Sequence, residues 1–133
     1  MSKNRPRPTP ETQPYWDACQ RHELQLQRCR SCQQFQFYPR VVCTKCGHDQ
    51  LDWTRASGAG KIVSFTVVRR AISAAYAAEV PYVIALIQLD EGPQMMSNVV
   101  ECDIDAVAIG MDVAVCFDDW DVDITIPKFK PAR

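Results

Sequence analysis

The sequence predicts a mainly β protein: a short N-terminal helix, a zinc ribbon, and a closed barrel of five strands. Two observations carry this. Four cysteines stand as two Cys-x-x-Cys pairs, Cys29/Cys32 and Cys43/Cys46, with ten residues between the pairs. Beyond Ser57, five β-prone runs follow one another with a single helical interruption after the third. The expected division is a disordered tail (1–9), the helix (10–26), the ribbon (27–56) and the barrel domain (57–133). A chain of 133 residues holds one ordinary domain, or two small ones that need each other or a metal.

The first nine residues are polar, basic and broken by Pro6 and Pro8, so no order is expected there. A helix is expected from Glu11 to Leu24. Thr9 or Thr12 is its candidate cap, Pro10 or Pro14 sits in its first turn, and Tyr15, Cys19 and His22 recur at helical spacing. Its apolar positions are few, so it buries little by itself. Two readings therefore stand side by side. Either Trp16 folds back on the ribbon, or Tyr15 and Trp16 anchor the helix on a partner protein.

The ribbon follows. A Cys-x-x-Cys turn aims both thiolates at one point, and two such knuckles supply a tetrahedral set of sulfurs that suits Zn²⁺. Two disulfides or a redox pair are the competing readings, and the paired spacing favours the metal. The intervening QQFQFYPRVV is long enough for a strand, a turn and a return. Such a site has no open coordination position, so it folds the chain and performs no chemistry. His22 precedes the first cysteine, and His48 follows a set that is already full.

The five expected strands are Lys61–Arg70, Tyr82–Leu89, Gln94–Val100, Asp112–Phe117 and Val122–Ile126. In the last of these Val122, Ile124 and Ile126 are expected to point inward. CDIDAVAIG, between the third and fourth, has Asp103 as N-cap and Gly110 as stop for a short helix. Strand–strand–strand–helix–strand–strand is the order of an OB barrel. YVIALIQL is apolar on both faces, so its outer side must be covered by the ribbon or by another chain.

Composition narrows the function. Residues 1–40 carry seven basic and three acidic groups, residues 88–133 three basic and ten acidic. An acidic C-terminal half is a poor surface for nucleic acid. No apolar run reaches membrane-spanning length and the N-terminus does not read as a signal peptide, so no membrane role is expected. Metal-spaced cysteines fit a reducing, cytoplasmic setting, with Cys19, Cys102 and Cys116 as small buried or half-buried apolar residues. Neither a Ser-His-Asp set nor a phosphate loop can be assembled, and no catalytic residue is expected. The binding features left are Phe65 on the first barrel strand, Arg69 and Arg70 at its end, and Tyr76 in the apolar loop 71–81. An apolar loop of this kind marks an acyl, lipid or protein contact, or simply covers the barrel end. The two arginines suit the phosphates of an anionic ligand.

Residues 14–131 run PYWDA, L-x-L-x-RC-x-x-C, C-x-x-CG, SG-x-G-x-I-x-S-x-TVV, PYVIALIQLDEGP, IGM-x-V and a Pro-x-F-x-Pro tail. In that order they resemble the acyl-CoA-associated zinc-ribbon/OB-fold proteins, a family defined as a domain of unknown function. The resemblance implies a rubredoxin-like ribbon with Cys29, Cys32, Cys43 and Cys46 on one structural Zn²⁺. It also implies a non-catalytic subunit of a thiolase-superfamily enzyme (thiolase, acyltransferase or aldolase) that shares a CoA thioester with its partner in a hetero-oligomer. A partner of a MaoC-type hydratase or a stand-alone acyl-CoA-binding protein is the alternative. A nucleic-acid-binding OB module comes third.

Overall fold

A computed structural model describes residues 6–71 and 74–132, with only the backbone of Tyr76. The expected disorder of residues 1–9 falls partly on residues 1–5, which lie outside the described ones. Helix α1 spans Gln13–Gln20, shorter than the Glu11–Leu24 expected. Pro14 lies in its first turn, and Thr12 is the N-cap without a side-chain capping bond. The Thr12 hydroxyl turns back instead, accepting the Thr9 N–H at 2.8 Å. His22, at φ +58°, ends the helix by entering the left-handed region.

Strands β1 (Gln25–Cys29), β2 (Phe35–Gln36) and β3 (Leu51–Arg55) form an antiparallel sheet in the order β2-β1-β3. The barrel comprises β4 (Ala59–Val68), β5 (Tyr82–Leu89), β6 (Gln94–Val99), β7 (Asp112–Asp119) and β8 (Thr125–Pro131). It closes in the order β4-β5-β6-β8-β7. Ile62, Ile87, Leu89, Val113 and Phe129 fill its interior. The expected short helix is a single 3₁₀ turn, Ile104–Ala106, with the Asp103 carboxylate accepting the Asp105 N–H.

The last strand corrects one expectation. Ile124 is buried as expected, but Val122 is 91 % exposed and Ile126 only half-buried, and the inward residues of β8 are Thr125, Pro127 and Phe129. Asp121 Oδ1 accepts the N–H groups of Asp123 (2.7 Å) and Ile124 (3.0 Å). That turn absorbs residues 121–124, so the strand starts later and its alternation falls on the other parity.

Helix α1 ties ribbon to barrel. Tyr15, Ala18 and Cys19 are buried. Gln20 donates to the Val122 carbonyl at 3.1 Å and to that of Asp123. His22 Nε2 lies 3.0 Å from both Asp119 oxygens, and its ring stacks on Phe117. Ribbon, helix and barrel therefore share one hydrophobic cluster that runs from Tyr15 and Leu26 to Phe129.

Candidate metal centre and the surfaces around it

Cys29 ends β1, Cys32 follows the first knuckle turn, and Cys43 and Cys46 flank the second. Their four Sγ atoms lie within 4.8 Å of one another. Cys29 and Cys46 are 3.5 Å apart, Cys32 and Cys43 3.6 Å. Zn–S bonds of about 2.3 Å in a tetrahedron require sulfurs about 3.8 Å apart, so the set fits zinc. All four thiols are free, which removes the disulfide reading.

The backbone prepares two of them for ionisation. The Ser31 N–H points at Cys29 Sγ (3.3 Å) and the Lys45 N–H at Cys43 Sγ (3.4 Å). The Cys32 N–H, with help from Ser31, lowers the Cys29 pKa. The N–H groups of Cys46 and Lys45 bring Cys43 down to about 6. Cys46 moves the other way, to about 11: the His48 N–H lowers it, but the neighbouring Cys29 and burial outweigh that. Four crowded sulfurs do not all ionise unaided, and a divalent cation supplies the missing charge.

Two buried glutamines hold the second knuckle, and the sequence reading did not single them out. Gln36 donates to Gln27 Oε1 at 2.7 Å, and that oxygen also accepts the Arg40 N–H at 2.8 Å. Gln27 returns a bond to the Arg40 carbonyl at 2.8 Å, and Gln36 Oε1 accepts the Thr44 N–H at 2.9 Å. Both amides lie inward on ribbon strands and bond to the loop that delivers Cys43. The available signal is glutamine alternating with apolar residues in QLQ and FQF.

The other candidate residues are scattered. Tyr15 is 3 % exposed, its ring 5.5 Å from Phe37, so its bulk serves this chain's own core. Trp16 beside it is half-buried and keeps an outward face. Phe65 is half-buried against the barrel core, while Arg69 and Arg70 stand exposed beyond β4. The side chain of Tyr76 lies outside the described ones. A cavity of about 530 Å³ opens at the barrel mouth between Tyr82, Trp120 and Ile126, but Phe65, Arg69 and Arg70 do not line it. Its charged lining is Glu79, Glu101 and Lys128, and Lys128 pairs with Asp118 at 2.9 Å. His22 contacts Asp119 rather than the cysteines. Among the described residues no helix is long and apolar enough to cross a membrane.

A second cavity, of about 350 Å³, lies where helix, ribbon and barrel meet. Trp16, Tyr38, Met96 and Ile126 form its rim, with Phe37 and Met95 beneath.

The ChsH2 rubredoxin-like zinc ribbon domain matches residues 16–52, and the ChsH2 C-terminal OB-fold domain matches residues 53–118. The chain belongs to this family. It is 36 % identical over 111 residues to a DUF35 domain-containing scaffold protein of Methanocaldococcus jannaschii, covering 78 % of each chain. It is 34 % identical over 130 residues to a probable enoyl-CoA hydratase alpha subunit of Thermomonospora curvata. That match takes in 96 % of this chain but only 40 % of the relative's length. The solved Ltp2-ChsH2(DUF35) aldolase contains a chain that superposes with a TM-score of 0.87 at 32 % identity. There, 97 % of this chain covers 100 % of the other.

Proposed function

We propose that this ChsH2-type chain is a non-catalytic auxiliary subunit of a thiolase-superfamily acyl-CoA enzyme: a thiolase, acyltransferase or aldolase. The observation that carries the reading is the superposition, over 97 % of its length, on a chain of the Ltp2-ChsH2(DUF35) aldolase. The chemistry of the site agrees. Four cysteines saturate the metal, which leaves no position for water or a carbonyl. One structural Zn²⁺ then stabilises the ribbon, and the ribbon and barrel together serve as a scaffold in a hetero-oligomer.

The contact with acyl-CoA belongs to the shared surface. Arg69 and Arg70 are exposed cations at the barrel's edge, suited to the phosphates of a CoA thioester held mainly by the partner. Phe65 supports the strand that presents them. The loop carrying Tyr76 begins immediately after them. The mouth cavity, lined by Glu79 and Glu101, does not suit an anion. The same acidity counsels against nucleic acid.

A hydratase partnership is the second reading, favoured by the likeness to a hydratase alpha subunit. Assaying the purified chain alone and with its co-purifying enzyme tests the proposal. No thiolysis, aldol cleavage or hydration is expected from the chain alone, and turnover is expected only with the partner. Turnover by the isolated chain overturns it.

A further inference from the structure

Barrel exteriors alternate to polar residues where they meet water, and one face of this barrel does not. On β5 the outward residues Ile84 and Leu86 are only half-buried. Leu86 pairs across the sheet with Met96 of β6, which is 70 % exposed. Met96 leads into the groove whose rim adds Trp16, Ile126 and Tyr38, the last 40 % exposed.

None of the described residues lining that groove carries a charge. Ser97 and Asn98 in its lining are already bonded to the barrel: Ser97 Oγ donates to the Pro127 carbonyl at 3.0 Å, and Asn98 donates to the Val83 carbonyl at 2.9 Å. The floor is also a seam in the barrel. Strands β6 and β8 share a single registered pair, Val99 and Phe129, and Pro127 has no N–H to offer. Beside it the Arg40 guanidinium lies over the Tyr38 ring, 5.4 Å from its centroid, and is exposed to solvent.

We propose that this face docks the enzyme subunit through an apolar anchor of the partner seated between Trp16, Tyr38 and Met96, with a partner carboxylate meeting Arg40. The inference rests on the auxiliary-subunit reading and adds the surface and the chemistry that fits it. An exposed apolar stripe with an uncharged groove marks a protein contact. The Arg40 cation at its border sets the sign of the group beside the anchor. The aromatic–methionine rim supplies residue types favoured at interface centres.

The test uses the full zinc-loaded chain and, as probe, the acyl-CoA enzyme subunit that co-purifies with it. Met96→Glu and Arg40→Glu alter exposed side chains, and Val122→Glu places the same charge on an exposed apolar position outside the groove. Zinc content and melting temperature are measured alongside affinity. Met96→Glu is expected to weaken the complex at least tenfold and Arg40→Glu severalfold, with Val122→Glu unchanged and all three folded. Unchanged affinity in Met96→Glu overturns the docking face while leaving the auxiliary role intact. A wild-type homodimer that Met96→Glu dissociates assigns the face to a second copy and also overturns it. Unchanged affinity in Arg40→Glu alone removes the carboxylate. If the wild-type chain brings down no acyl-CoA enzyme, both proposals fall.

Discussion

Replacing Gly58 with alanine should destabilise the chain by two separable amounts. Gly58 ends the connection from ribbon to barrel at φ +84°, and its carbonyl accepts the Val115 N–H at 2.8 Å. A left-handed backbone costs a non-glycine residue about 1–2 kcal/mol. An added Cβ would also overlap Val115 Cγ1 and lie 3.3 Å from Val115 Cβ. The carbonyl bond keeps the two residues from moving apart, and overpacking of this kind costs about 1–3 kcal/mol. Together the loss is about 2–5 kcal/mol, or about 1–2.5 M in urea midpoint for a slope near 2 kcal/mol per M. Urea unfolding with zinc held in excess measures it. In a Val115→Ala background the same glycine change should cost only the backbone part, about 1–2 kcal/mol. A Gly58→Ala midpoint indistinguishable from wild type refutes the reasoning. An equal cost with and without Val115 refutes the steric half.

Metal analysis should find one zinc per chain, lost in Cys43→Ser together with ribbon stability, since such sites contribute on the order of 10 kcal/mol; retained zinc contradicts the ligand set. Tyr15→Ala should cost about 3–5 kcal/mol by calorimetry because it empties a core position. Trp16→Ala should instead weaken partner affinity about thirtyfold, or ~2 kcal/mol; lost stability with unchanged binding argues against that role. Asp119 has its pKa lowered by the Thr125 hydroxyl first and by His22 second. Its stabilisation is therefore present above the unfolded value of about 3.9 and disappears as pH falls through the folded one. The midpoint difference between wild type and Asp119→Asn should shrink below about pH 4; a constant difference at pH 7 and pH 3 contradicts it.

The parts legible in the sequence were those written in short-range chemistry. Paired cysteine spacing identifies a tetrahedral site whatever lies between the pairs; β4, β5 and β7 announce themselves by branched and aromatic residues, and β6 by the DEGP turn before it. The strand β8 did not, because its inward positions include Thr125 and Pro127 while its most conspicuous valine, Val122, belongs to the turn. The helix looked too polar to stay on its own domain. Tyr15, Ala18 and Cys19 nevertheless form one buried face, and His22 and Gln20 fasten its end to β7 and to the turn that follows it through bonds spanning about a hundred residues. The groove was illegible for the same reason. Trp16, Tyr38, Met96 and Ile126 come from four separate segments, and only the closed barrel with the ribbon against it brings them together. YVIALIQL, apolar on both sides, asked for a cover on its outer face, and Ile84 and Leu86 are half-buried there.

Native mass spectrometry of the tagged chain, purified gently from its own cells, tests the auxiliary role most directly. The predicted species is a hetero-oligomer that contains this chain with one zinc and a thiolase-superfamily subunit, and only that species turns over acyl-CoA. A zinc-loaded monomer or homo-oligomer with no enzyme attached, or with acyl-CoA turnover of its own, would contradict it.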